Sequence, residues 1–311
     1  MVAARPYPEV VERLSAQSVK KHFDAYADVD WDAHTIHPED PRFALDESDP
    51  LGATDWYRQL PPATQARIGL HNIVHQMKVG IFFENVLSRG LLEFAARRPD
   101  GDPAFRYAYH EVIEESQHSL MFQELVNRTG LHAPGLPGIQ RVLANFVPLM
   151  GRRFPEMFFF FVLGGEAPID QSQRDALERK NLHPLLRRIM RIHVLEEARH
   201  ICFAKRYIEE HVPKLGVMKR VHLMFRVPFV LAIMARQMLE APSVVVDTYG
   251  VPASVIREAY RDNPEHRENL RRSVTPIIEL AASVGILNPT TLPLWRRLGL
   301  VERRQIAMVG R

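Results

Sequence analysis

Residues 191–200, RIHVLEEARH, contain His193, Glu197 and His200, whose types and spacing suit metal binding. On an α-helix each residue turns ~100°, so Glu197 lies ~40° to one side of His193 and His200 ~20° to the other. Two imidazoles and a carboxylate off one helix face are ligands for a divalent metal of intermediate softness. A solvated helix face can carry the same residues by chance, so the triplet alone does not decide.

An internal repeat bears on the choice. IEESQH at 113–118 matches LEEARH at 195–200, which sets Glu115 against Glu197 (197 − 115 = 82) and His118 against His200 (200 − 118 = 82). Glu84, amid Ile81, Phe82, Phe83, Val86 and Leu87, matches Glu166 in MFFFFVLGGEAPID at the same offset (166 − 84 = 82). A carboxylate in such apolar company needs a partner, because an unpaired buried charge is costly. His193 has no histidine counterpart; its equivalent position is Glu111 (193 − 82 = 111).

The elements that must position these residues are long helices. Apolar residues recur at three- and four-residue spacing from 63 to 98, ending at RRPDGDP. A second helix runs about 103–128, with Pro103 suited to its first turn. At a rise of ~1.5 Å per residue, Glu84 stands ~22 Å before the turn and Glu115 ~18 Å after it, so an antiparallel pair brings the two level. The second half repeats this with a helix from about Pro155 and another over 184–210. Facing hairpins then bring four carboxylates and at least two histidines to one level: one Glu from each of two helices and a Glu-x-x-His from each of the other two, the di-metal carboxylate arrangement of a four-helix bundle.

These residues resemble the ferritin-like di-iron oxygenases, and the extra histidine in H-x-x-x-E-x-x-H resembles the p-aminobenzoate N-oxygenase (AurF-like) family over about residues 65–240. The resemblance implies a metal-ligand set of Glu84, Glu115, His118, Glu166, His193, Glu197 and His200. The family tends to place Asp before each motif Glu; here Glu114 and Glu196 stand there, as residues that can orient ligand histidines or as exposed charges. The resemblance further implies two Fe ions (Mn competes for such ligands), O2 as co-substrate and a peroxo-diferric intermediate that oxidises an arylamine to hydroxylamine and nitro products. An electron donor, a small organic substrate and a homodimer belong to the same expectation. Two alternatives stay open: another di-metal oxidation such as C–H hydroxylation or desaturation, and a ferroxidase or metal-handling role without organic substrate.

The remaining sequence bounds the reading. Of 311 residues, 46% are hydrophobic and 25% charged, an ordinary globular composition, and a net charge of +3 gives no electrostatic case for nucleic acid. One cysteine, Cys202, excludes an internal disulfide, and the first residues lack an apolar signal core; both accord with the cytoplasm. The expected fold is all-α, a single ferritin-like domain over 1–311. It comprises a surface arm at 1–62 (helical over about 8–25), a bundle core at about 63–240 and a helical extension at 241–311. The apolar run 221–239 is broken by Arg226, Pro228 and Arg236 and reads as a buried helix, not a membrane span. Pro168 predicts a kink or unwinding beside Glu166. Phe158, Phe159, Phe160 and Phe161 read as core, and SVVVDTY is the longest strand-like run. Gly80, one turn before Glu84, leaves space for a largely apolar pocket, and no Arg or Lys is compelled by spacing to bind a substrate carboxylate.

Overall fold

The computed structural model describes residues 5–136 and 138–302. Among these the chain forms helices α1 (Tyr7–Lys20), α2 (Asp55–Arg58), α3 (Pro62–Ala95), α4 (Pro103–Thr129), α5 (Gly138–Ala144), α6 (Pro148–Arg153), α7 (Pro155–Leu177), α8 (Pro184–His211), α9 (Val217–Leu239), α10 (Ser243–Tyr249), α11 (Ala253–Ile256), α12 (Pro264–Ser283) and α13 (Leu292–Arg297), with no strand. The fold is all-α and consistent with a ferritin-like helical bundle. The run SVVVDTY is helix α10, closed by left-handed Gly250 at φ +62°, so a short β-branched run yielded to its caps.

The bundle is made of two helical hairpins. α3 packs along α4 and α7 along α8, while α3 touches α7 and α4 touches α8 across the middle. Each of the four begins with proline in its first turn, where the missing N–H costs nothing. Asp102 caps α4 by accepting from the Ala104 N–H at 2.9 Å, and Gly130 ends it at φ +65°. The long link through α5 and α6 carries the chain from α4 to α7, the single crossover of ferritin-like bundles. Phe94, Phe158, Phe159, Phe160, Phe203 and Tyr207 fill the apolar centre at one end, which agrees with the core reading of the phenylalanine run; Phe161 is half-buried against Phe83.

Four local expectations change. α1 stops at Lys20, and Ala25 beyond it donates its N–H to Gln117 Oε1 at 2.8 Å. α7 winds unbroken through Pro168, because the lost hydrogen bond to the Gly164 carbonyl sits in a turn pinned by buried neighbours on both sides. The arm is more than a surface wrapping: Val29, Trp31, Ile36, Phe43, Leu51 and Tyr57 are buried. α9 is not a buried helix. Leu223, Val227, Leu231 and Ala235 face the core, but Val217, Val221, Phe225, Phe229 and Ile233, four apart, form an exposed stripe. By length and composition Val217–Tyr249 is apolar enough to cross a membrane, yet a third of its most apolar window is buried and the chain breaks at Pro242 between α9 and α10.

The arm seats on α3 through a backbone contact that only glycine permits. A Cβ on Gly69 would stand 1.8 Å from the Phe43 carbonyl oxygen. Gly69→Ala is therefore expected to lower stability by about 1–3 kcal/mol, the usual cost of overpacking. Gly216→Ala, with nothing within 4 Å of its Cβ, is expected to cost far less; denaturant melts of the two variants check this.

Candidate metal centre

Glu84 lies on α3, Glu115 and His118 on α4, Glu166 on α7, and His193, Glu197 and His200 on α8, each facing inward. None of the seven is more than 2% exposed. Their ligand atoms interlock: Glu84 with His118 and His193, Glu115 with His118 and Glu197, Glu166 with His193 and Glu197, and Glu84 with Glu115 and Glu166 all lie within 4.8 Å of one another. His200 joins through its Nδ1, 3.0 Å from Glu115 Oε1 and 3.1 Å from Glu197 Oε1. All seven sequence-derived residues thus meet at one level of the bundle.

The two motif histidines are held alike. Nδ1 of His118 faces inward, 3.1 Å from Glu115 Oε2, and its Nε2–H donates to Glu196 Oε2 at 2.9 Å. Nδ1 of His200 also faces inward, and its Nε2–H donates to Glu114 Oε2 at 2.8 Å. The outer carboxylates cross over: Glu196 on α8 holds the histidine of α4, and Glu114 on α4 holds the histidine of α8. Both are buried, so the exposed-charge alternative for them falls. Fixing one ring nitrogen as donor leaves the other as a lone-pair donor to a metal.

Sequence reasoning missed two residues. Arg199 is buried on α8, with Nη2 2.7 Å from Glu114 Oε1 and 3.4 Å from Glu196 Oε1, so one guanidinium ties the outer carboxylates together. Glu111 is 1% exposed, one turn before Glu115, and its ligand atoms lie within 4.8 Å of those of Glu115 and His200.

Protons distribute unevenly among these groups. Burial, reinforced by Glu115 and Glu166, raises the Glu84 carboxyl well above the usual range; burial with Glu197 and Glu115 does the same to Glu166. Burial also opposes ionisation of Glu115 and Glu197, but the neighbouring histidines, His200 foremost, outweigh it and hold both low. Burial disfavours a charged His118, yet Glu115 and Glu196 push it up to about 10, and Glu197 and Glu115 raise His200 well above its ordinary value. Burial drives His193 down to about 4, so it is neutral at pH 7.

Beside the cluster lies a small, mostly apolar cavity reached by Glu84, Glu166 and His193 and walled by Met77, Gly80, Phe83, Phe122, Ile169 and Met190. The glycine at 80 matters: a Cβ there would press on the Phe122 ring at 3.1 Å. A wider surface cleft, which does not itself reach the carboxylates, shares Gln76, Ser172 and Met238 with this cavity. Its outer walls are Leu45 and Asp46 of the arm and His266 and Arg272 of α12.

An all-α bundle enclosing such a set of carboxylates and imidazoles defines a ferritin-like protein with a candidate di-metal centre. The chain belongs to the family described as P-aminobenzoate N-oxygenase AurF, which it matches over residues 4–285, beyond the 65–240 legible from motifs. This is a family of di-iron oxygenases. The chain is also 38% identical over 293 residues to uncharacterized proteins of Mycobacterium bovis and of two Mycobacterium tuberculosis strains, covering 93% of this chain and 86% of each relative.

Removing Arg199 would leave two buried carboxylates facing each other. Arg199→Leu is expected to destabilise the chain by about 3–5 kcal/mol, as for a broken buried ion pair. Chemical denaturation of the metal-free protein measures it.

Proposed function

We propose that this chain is an O2-activating di-iron oxygenase that oxidises the nitrogen of an arylamine to hydroxylamine and nitro products, with Glu84, Glu115, His118, Glu166, His193, Glu197 and His200 as metal ligands. The observation that carries the reading is the buried cluster with donor atoms lacking partners. Oε2 of Glu84, Oε1 of Glu166, Oε2 of Glu197 and both ring nitrogens of His193 are buried without a hydrogen bond. Orphaned lone pairs in an apolar bundle are costly, and cations satisfy them. Mixed imidazole and carboxylate donors suit iron, with manganese the competitor. Two irons held there would supply electrons to O2 and direct its oxygen to a bound amine.

The protein's part is alignment and exclusion of water. Glu115 and Glu197, each within 3.5 Å of both His118 and His200, would hold the cations together with those histidines. Glu196 and Glu114 accept from the rings of His118 and His200, fixing their orientation and raising their basicity. The apolar cavity beside Glu84, Glu166 and His193 is the place for substrate. Its lining includes no Arg or Lys, which favours an uncharged aromatic amine over one bearing a carboxylate. Gln76, Ser172 and Met238 stand between this cavity and the surface cleft, lining both. A surface cleft walled by the arm and α12, next to this cavity, speaks for organic chemistry over iron storage.

Return of the metals to the reduced state requires an external electron donor. The exposed stripe of α9 supports a homodimer formed through that face. A cytoplasmic setting fits a chain with one cysteine and a reduced metal centre.

The test is anaerobic Fe(II) loading, then O2 and a panel of arylamines with product analysis. About two irons per chain and hydroxylamine or nitro products are expected; no nitrogen oxidation across the panel, with oxidation of another substrate class, would redirect the reading. His193→Ala combined with Glu197→Ala is expected to abolish stable loading of two irons. Loading also displaces protons, because His118 and His200 are held protonated in the metal-free pocket and must be neutral to bind. A group protonated when free and neutral when bound makes apparent affinity rise with pH, up to about 10 for His118. Proton release into weak buffer at pH 8 on Fe(II) addition measures this.

A further inference from the structure

Glu111 belongs to none of the roles above. It occupies the position that the 82-residue repeat pairs with His193, one turn before the motif glutamate on its own helix. The pseudo-symmetry therefore sends the two side chains to opposite ends of the cluster. His193 lies with Glu84 and His118 and also with Glu166 and Glu197; Glu111 lies with Glu115 and His200. Both Glu111 oxygens are buried and neither has a hydrogen-bond partner. A carboxyl kept dry, unpartnered and within ligand distance of two metal-binding side chains has no structural reason to be there: an apolar residue of similar volume would be more stable.

Resting on the di-iron reading, we propose that Glu111 is an eighth ligand, binding the metal held by Glu115 and His200 as His193 binds the metal held by Glu84 and His118. The two metals then differ in charge environment. One receives a neutral imidazole from the repeat position and the other an anionic carboxylate. The extra anion stabilises the higher oxidation state of its own metal by direct Coulomb attraction in a site screened from water. The iron beside Glu111 is thus the harder to reduce, and the iron beside His193, which also borders the substrate cavity, the easier.

Glu111→Gln tests the assignment, since it keeps volume and removes the anionic oxygen. Metal-free full-length protein is titrated anaerobically with Fe(II) by calorimetry, and the loaded forms are compared by Mössbauer spectroscopy. Loss of an outer-shell partner already costs about 10–100-fold in metal affinity, so loss of a ligand is expected to weaken one of the two sites by at least about 100-fold. The other site keeps its wild-type constant and its quadrupole doublet. Glu111→His, which restores a donor and makes the repeat symmetric, is expected to recover two-iron loading with the two doublets drawn together. Melting of the metal-free variants separates these effects from misfolding. Two wild-type binding constants and two unchanged doublets in a folded Glu111→Gln protein would overturn the eighth ligand and leave the di-iron reading standing. A wild-type chain that binds fewer than two irons would overturn both.

Discussion

Taking a carboxylate out of water is costly unless a cation or a donor meets it. This chain clusters Glu84, Glu111, Glu115, Glu166 and Glu197 inside one helical bundle, with Glu114 and Glu196 buried just outside them. Everything around them is an answer to that cost. Helices are long enough for carboxylates from four of them to meet at one level, far from the ends. Histidines stand between the carboxylates, and a guanidinium closes the outer layer. Without metal the groups share protons unequally, some carboxyls neutral and some imidazoles charged. Under the di-metal reading, that is the state of a pocket that would take up cations in exchange for protons.

The same constraint organises the packing. The aromatic cluster at Phe94, Tyr107, Phe159, Phe203 and Tyr207 joins the four helices at one end, so the level of Glu84 against Glu115 and of Glu166 against Glu197 is set by side chains outside the polar cluster. The arm and α12, outside the bundle, wall the approach to the cavity. The structure is thus built in three layers: polar groups at the centre, aromatic packing that sets their register, and peripheral segments that wall a cleft beside them.

Much of this was legible because helical periodicity and a repeat both leave marks in sequence. Glu84 and Glu166 declared themselves by their apolar company, and Glu115, His118, Glu197 and His200 by a shared offset. His193 stood out as the residue breaking that offset. What stayed hidden had no period to reveal it. Trp31 lies in a turn and Phe43 in a single turn of 3-10 helix, too short for periodicity, and their burial depends on contacts with α3 and α4. Arg199 looks like one more basic residue on a helix, and only the crossing carboxylates of Glu114 and Glu196 explain its burial. Glu111 was visible as a mismatch in the repeat, but its distance to His200 is a fact of tertiary structure. For α9, composition marked an apolar helix but could not say that one of its faces would find no neighbour.

The crossed pairing of His118 with Glu196 and His200 with Glu114 has one more consequence. Each hairpin lends a carboxylate to orient the imidazole of the other, so neither repeat owns a finished half-site. A lone hairpin would present a histidine free to spin and a glutamate with nothing to hold. The duplication visible in the sequence is thus no longer divisible: the halves have become reciprocal, and a change to either outer glutamate is felt in the opposite repeat.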